Sequence, residues 1–300
     1  VIAMNWTQAV RRVSETDIER RLINDYGQEL RVYPCPSPDG RGLVLLPGCT
    51  SILSATAPPA DREFLERWRL REIAAGRDPL AAAYRGSAVH ALLEARIRGL
   101  SLPDVVQVDG KPYRITDEVM AFYNGMYEFI KPFDYHVWSE QPLRLGWEHT
   151  WSTTDESDPR RLARVWSSTW GYSGTPDLIS HSDEHGGYVL SDFKTAKAPY
   201  FQAQRSIPVP SGQGTNFKKY KKTVRQLCLY AEAIKETLNI EIAKLHIIVG
   251  TPTGAREYWV DPWEREQERA NALRLCQQFW NSVHELRQPE PTPELVLAAA

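Results

Sequence analysis

The chain has only four cysteines in 300 residues, Cys35, Cys49, Cys228 and Cys276, with no C-x-x-C pair among them. That scatter excludes a zinc ribbon or a disulfide scaffold and leaves reduced, packed thiols as the expectation. Net charge is nearly absent: 36 Lys and Arg against 38 Asp and Glu leave −2. A polybasic protein that coats nucleic acid by bulk electrostatics is thereby excluded, and any anionic partner must meet a local patch. No apolar run approaches the roughly 20 residues of a membrane helix. The first 30 residues carry no basic-then-apolar secretion signal, so the expected address is intracellular and cytoplasmic, with no membrane partner. Internal repeats and low-complexity arrays are missing. So are a G-x-S-x-G elbow, a G-x-x-x-x-G-K-[ST] loop and a G-x-G-x-x-G turn, which removes the anchors for esterase, P-loop ATPase and dinucleotide-binding readings.

What is present is ordinary globular material: 42% apolar, 25% charged and 10% aromatic residues, enough to bury a full core. The run from Pro34 to Gly42 reads as a turn between short strands near 30–33 and 43–46. Residues 198–216 read as a long loop and 288–300 as a frayed tail. A helix capped by Asp61 carries Phe64, Leu65, Trp68 and Ile73 at helical spacing and stops at Gly76. A second covers about 79–98, and a third starts at Thr116 or Asp117 and runs to about 130. The period then changes to two, with strands near 135–145, 162–172, 175–181 and 187–193. A helix at about 221–238 and a strand from Ile242 to Val249 follow. Asp261-Pro262 opens a last helix, with Trp263, Leu273, Cys276, Trp280 and Val283 on its expected buried side. This order predicts an α/β (α+β) fold, a mixed central β-sheet flanked by helices in one compact domain.

The chemistry concentrates in Gly174-Thr175-Pro176-Asp177 and in Ser191-Asp192-Phe193-Lys194-Thr195. On a strand Asp192 and Lys194 share a side while Phe193 points to the other. If the two segments are antiparallel neighbours, Asp177 lies across from Asp192. Two converging carboxylates require a cation, and hard oxygen donors in an open site favour Mg²⁺ or Mn²⁺. Two further pairs stand on single helix faces: Gly86 with His90, and Gln226 with Tyr230. Taken one at a time, these residues equally describe an exposed hairpin with an ion pair, a satisfied core histidine and ordinary helix surface. The turn from His181 to Gly187 holds Asp183, Glu184 and His185 but ends in Gly-Gly, and is not a metal site. From Asp192 to Arg225 eight basic residues face one acid. With Tyr200, Phe201, Phe217 and Tyr220 interleaved, that stretch reads as a strand-binding patch of lysines for phosphates and rings for unpaired bases.

In this order, Gly86…His90, Gly174…Asp177, Asp192-x-Lys194 and Gln226…Tyr230 resemble the motif series of the RecB-like branch of PD-(D/E)XK nucleases. Together with Leu65-Glu66-Arg67-Trp68-Arg69 they are most similar to the mitochondrial genome maintenance exonucleases and their phage and bacterial relatives, over about residues 45–260. The resemblance implies a restriction-endonuclease-like core with an N-terminal helical part: an extension over 1–60, a nuclease domain over 61–287 and a flexible tail over 288–300. It implies Asp177, Asp192, the Phe193 carbonyl and His90 as ligands of Mg²⁺ or Mn²⁺. Lys194 is then implied to act on the attacking water and the phosphorane, with Gln226 and Tyr230 positioning it. Glu94 and Glu140 are weaker candidates near the metal. Arg67, Thr195, Lys197, Lys218, Lys219 and Tyr220 are the expected DNA contacts. Some relatives carry an iron–sulfur cluster, but only Cys276 follows the core here, so none is expected. The stretch 143–170, with Trp147, His149, Trp151, Trp166 and Trp170, looks longer than the family minimum. The expected activity is exonucleolytic hydrolysis of single-stranded DNA ends, in replication or repair. A structure-specific endonuclease and a DNA-binding protein on a silent nuclease scaffold are the alternatives.

Overall fold

The computed structural model describes residues 12–13, 21–24, 28–38, 42–108, 110–133, 135–139, 141–142, 164–201 and 215–284. Expectations placed on Glu140, Trp147, His149, Trp151 and the 288–300 tail lie outside the described residues, as does Arg205, one of the eight basic residues between Asp192 and Arg225. Strands β1 (Arg12–Val13), β2 (Arg21–Ile23), β3 (Glu29–Pro36) and β4 (Leu43–Pro47) make an antiparallel sheet ordered β1-β4-β3-β2. Helices α1 (Cys49–Ala55), α2 (Pro59–Ala74) and α3 (Ala81–Ile97) follow. A hairpin of β5 (Val105–Val108) and β6 (Lys111–Arg114) leads to α4 (Asp117–Tyr127). Then come β7 (Tyr135–Ser139), β8 (Gln141–Pro142), β9 (Val165–Ser167), β10 (Tyr172–Gly174), β11 (Leu178–Ser182) and β12 (Gly187–Thr195). The chain continues through α5 (Thr215–Leu238), β13 (Ile242–Thr251), β14 (Gly254–Trp259) and α6 (Pro262–Ser282).

The main sheet has six strands in the order β14-β13-β12-β11-β7-β8. Only β12 and β13 run parallel, because α5 carries the chain across between them; every other neighbour is antiparallel. The result is the mixed sheet between helices that the element order predicts. Alternation along β12 divides the two cores. Leu190 joins α1, α5, α6 and the β3–β4 pair on one face, and Phe193 joins α3 and α4 on the other. Local signals start the helices that cover these faces. Thr116 Oγ1 accepts from Val119 N at 3.4 Å, and Asp261 accepts from Trp263 N at 2.9 Å with Pro262 in the first turn. Val119, Phe122, Tyr123 and Met126 then return at helical spacing to the buried side of α4. Among the described residues no helix is long and apolar enough to cross a membrane.

Four expectations about local structure are corrected. The Pro34-Cys35-Pro36 run is strand rather than turn, paired with β4 from Val32↔Pro47 to Pro36↔Leu43. The Arg31 carbonyl and the Ser37 N–H both bond toward the β4 side, so Pro34 and Pro36, of opposite parity, turn their ring nitrogens away from that ladder. On the other side described pairing with β2 ends at Arg31, so no ladder bond is lost. Helix α2 begins at Pro59, with Pro58 rather than Asp61 as its cap, and none of its residues is buried. Phe64, Leu65 and Ile73 are more than half exposed, so its apolar spacing marks no core face. Trp263 is 73% exposed, whereas Cys276, Trp280 and Val283 are buried as expected. Helix α5 starts at Thr215, some six residues before the expected 221, and this changes the reading of the basic patch.

One buried group makes stability depend on pH. His246 is wholly buried and stacked on Trp259 at 4.1 Å; its Nε2 donates to Glu257 at 3.0 Å and its Nδ1 accepts from Ser191 Oγ at 3.2 Å. Burial lowers its pKa despite the opposing pull of Glu257, and burial lowers that of His136 as well. A base whose folded pKa lies below its unfolded value stabilises fully above the unfolded value, about 6.5, and loses that contribution as pH falls through the folded pKa. The midpoint of thermal unfolding is therefore expected to drop between pH 7 and 5, and to drop less in His246→Gln.

Candidate active site

The two sheet faces meet their chemistry at one end of β11 and β12. Leu178 pairs with Ser191, which brings Asp177, one residue before β11, beside Asp192 across the ladder. Asp177 Oδ2 accepts the Phe193 N–H at 2.7 Å. His90 approaches from α3. Its Nε2 lies 3.0 Å from the Phe193 carbonyl oxygen, to which it must donate, and its Nδ1 lies 3.6 Å from Asp177 Oδ1. Asp177 and His90 thus meet the backbone N–H and C=O of one residue, Phe193, whose carbonyl is itself an expected ligand. From the α5 side, Gln226 Nε2 donates to Asp192 Oδ1 at 2.9 Å and also reaches the Tyr230 hydroxyl at 3.3 Å. Asp192 is 1% exposed. Its Oδ2 lies against the Lys194 ammonium, yet no well-directed hydrogen bond reaches that atom.

These contacts fix charge states. Burial pulls the Lys194 pKa down, but Asp192 and Asp177 together outweigh it and hold the group above its ordinary value, as an ammonium. Burial holds the Tyr230 phenol well above its usual range, so it stays neutral. Burial likewise pushes Cys35, Cys49 and Cys228 to about 12, which makes them packing groups and not nucleophiles. Two glycines explain themselves by close approach. A Cβ on Gly174 would stand 2.3 Å from Tyr230 Cε1, and one on Gly86 would stand 3.2 Å from Thr195 Oγ1.

The donor set suits a hard divalent ion. Among the described residues no three His, Cys, Asp or Glu side chains form a ready metal cluster. Asp177, Asp192, His90 and the Phe193 carbonyl instead lie together at one end of β11 and β12. A largely oxygen donor set of this kind suits Mg²⁺ or Mn²⁺, which keep water or phosphate on their remaining positions. The buried Asp192 Oδ2 without a hydrogen bond is the lone pair such an ion would satisfy.

The expected DNA contacts divide. Thr195 sits half-buried beside Gly86, and Lys197, Lys219 and Arg67 are exposed. Lys218 is exposed but bonded to Asp61 at 2.7 Å. Tyr220 is a correction: it is 1% exposed and donates to Glu264 Oε2 at 2.9 Å, so it cannot stack on a base. Tyr200 is buried against Tyr258 and Tyr220. Lys221 is held by Glu268 at 2.7 Å and Glu264 at 3.3 Å, and Arg225 by Glu268 at 2.6 Å. The basic run is therefore partly a clamp between α5 and α6 and not wholly a free patch. Glu94, one turn after His90, is paired with Arg98. Removing the charge of Lys197 or Lys219 should lower the slope of log binding against log salt by about one each. Lys221→Ala should leave that slope unchanged and reduce thermal stability. Fluorescence anisotropy over a salt series checks both. Lys222, one turn before Gln226, donates to Ser54 Oγ at 2.9 Å.

Paired carboxylates, a carbonyl and an ammonium at one sheet end are groups that metal-dependent hydrolysis of a phosphate ester can use. The sequence matches the family model of the PD-(D/E)XK nuclease superfamily over residues 65–292. The chain belongs to this superfamily, and its class is that of metal-dependent nucleases acting on DNA. No curated protein matches the sequence.

Proposed function

We propose that the chain is an exonuclease of the RecB-like branch that hydrolyses single-stranded DNA from its ends with Mg²⁺ or Mn²⁺. The observation that carries this reading is the gathering of His90, Asp177 and Asp192 about the Phe193 backbone with Lys194 alongside. The His90 position on α3 and the Gln226–Tyr230 pair on α5 support the branch assignment. His90, Asp177, Asp192 and the Phe193 carbonyl would hold the ion, which supplies Lewis acidity and a more acidic bound water. Lys194, kept as an ammonium by its carboxylate neighbours, orients the attacking water and stabilises charge growing on the phosphorane oxygens. Gln226 fixes the Asp192 carboxylate through Oδ1, and Tyr230 steadies Gln226 from the next turn. Exposed Arg67, Lys197 and Lys219, with Thr195 at the strand end, would hold phosphates of the incoming strand.

The test is digestion of labelled single strands that are 5′-blocked, 3′-blocked or circular, with Mg²⁺ or Mn²⁺. Loss of cleavage with one block and on circles is expected. Circles cut as fast as linear strands would replace this reading with an endonuclease, and no cleavage of any substrate would leave a DNA-binding scaffold.

A further inference from the structure

Lys222 lies on the same face of α5 as the residues that serve Asp192. Lys222, Gln226 and Tyr230 succeed one another at intervals of four, one stripe of the helix. Gln226 bonds Asp192, so Lys222 stands four residues, about 6 Å along the axis, from that partner. Three of its basic neighbours on α5 have acids to answer them, Lys219 being the exception: Lys218 has Asp61, Lys221 has Glu264 and Glu268, and Arg225 has Glu268. Among the described residues no carboxylate is in ion-pair reach of Lys222. Its Nζ donates instead to the neutral Ser54 Oγ at 2.9 Å. Ser54 gives its own proton to the Thr50 carbonyl at 2.8 Å, so a lone pair is fixed toward Lys222 and two ammonium protons remain for another acceptor.

The electrostatics point the same way. Lys222 is exposed, yet desolvation by the atoms around it is the first cause that lowers its pKa, and the Lys194 ammonium is the second. Two cations therefore approach the same space, and Lys194 already answers Asp192 and Asp177. Lys222 is thereby left without a carboxylate of its own among the described residues. Beyond Ser54 opens a groove between β3 and α1, lined by Gln28, Arg31, Thr50 and Ser51, with Glu29 its acid. The groove gives an extended anionic chain room to continue past Lys222.

We propose that Lys222, seated on Ser54 at the mouth of this groove, binds the substrate phosphate next to the one being cleaved. The proposal rests on the nuclease reading above. It makes Lys222 a substrate-positioning residue that sets where the strand lies over Lys194. The phosphate it takes is either an internal diester of a continuing strand or a terminal monoester.

The probe is a set of fluorescent single-stranded oligonucleotides, each with one uncharged methylphosphonate linkage moved stepwise along the chain, bound with Ca²⁺ in place of Mg²⁺. Wild-type protein should lose about tenfold in affinity when the linkage falls at one flanking position. Lys222→Met should bind the unmodified strand about tenfold more weakly, show a salt slope lower by about one, and suffer no further loss at that position alone. Lys222→Arg should restore the wild-type profile. Oligonucleotides with and without a terminal phosphate separate the sources, since the Lys222 dependence follows the monoester only if that is the group bound. Equal penalty profiles in Lys222→Met and wild type would overturn the subsite. Cleavage by wild type with Mg²⁺ or Mn²⁺ is the control. A Lys222-dependent profile without cleavage would sink the nuclease reading and keep the subsite. Cleavage with a Lys222-independent profile would sink the subsite alone.

Discussion

Asp192→Asn is expected to slow DNA cleavage by at least about a hundredfold while the metal-free protein unfolds no more easily than wild type. The reason lies in how the carboxylate is held. Asp192 is 1% exposed, its Oδ1 accepts from Gln226 at 2.9 Å, and its Oδ2 has the Lys194 ammonium beside it but no well-directed hydrogen bond. An asparagine keeps an oxygen for Gln226, and Asp177 still answers Lys194. What the fold loses is a charge it had half satisfied, and what the reaction loses is an anionic oxygen for the ion. Lys194→Ala should behave differently. It should abolish cleavage to the same degree but also destabilise the metal-free protein, because Asp192 is left buried with no cation. Removing one partner of a fully buried pair costs about 3–5 kcal/mol. Lys194 is 30% exposed at its side chain, so the loss should sit at or below the bottom of that range. Adding Mn²⁺ should then raise the thermal midpoint of Lys194→Ala more than that of wild type, since the ion replaces the missing charge. Retention of more than about a tenth of wild-type cleavage in either variant would count against these residues as the reacting centre. An equal Mn²⁺ response in Lys194→Ala and wild type would count against a shared ion.

The contrast between these two variants also marks what was readable from residue order. Strand alternation alone placed Asp192 and Lys194 on one side with Phe193 on the other, and the short turn before Gly187 placed Asp177 opposite. Such inferences are local, and local geometry decides them. The basic run was misread for the opposite reason. Residues 215–222 are mostly polar and charged and resemble loop, although Phe217 and Tyr220 already begin the spacing that Val224 and Leu227 continue. They are helical because Tyr220, Lys221 and Arg225 are tied to Glu264 and Glu268 on α6 some forty residues later, a tertiary fact no window can contain. The prolines of β3 fail similarly: a missing N–H costs a strand nothing on its unpaired side, and which side is unpaired is a property of the sheet. Helix α2 shows the converse. Its apolar spacing is genuine, but spacing says only that a face exists, not that a core lies under it. The Gly174 signal was visible without its cause, because the neighbour that demands a glycine comes from a helix fifty-six residues downstream.

That neighbour supports the second large effect. Gly174→Ala would put a methyl group 2.3 Å from Tyr230 Cε1, against a ring that is 6% exposed and whose hydroxyl meets Gln226 at 3.3 Å. The ring cannot swing into solvent, since α5 is packed against the sheet along its whole buried face. The expected cost is about 1–3 kcal/mol of stability from overpacking, with cleavage lowered further because a displaced Tyr230 no longer steadies the amide that holds Asp192. The cause can be separated from a general intolerance of alanine in β10 by a double-mutant cycle. Tyr230→Ala alone should destabilise by opening a cavity. Combined with Gly174→Ala it should unfold no more easily than Tyr230→Ala alone, because the added methyl then enters empty space. Tyr230→Phe, which keeps the ring, should rescue nothing. Strictly additive losses in the Gly174→Ala/Tyr230→Ala protein would show that the glycine is needed for its backbone and not for the ring above it. The motif glycine and the motif tyrosine would then have no contact to explain their pairing.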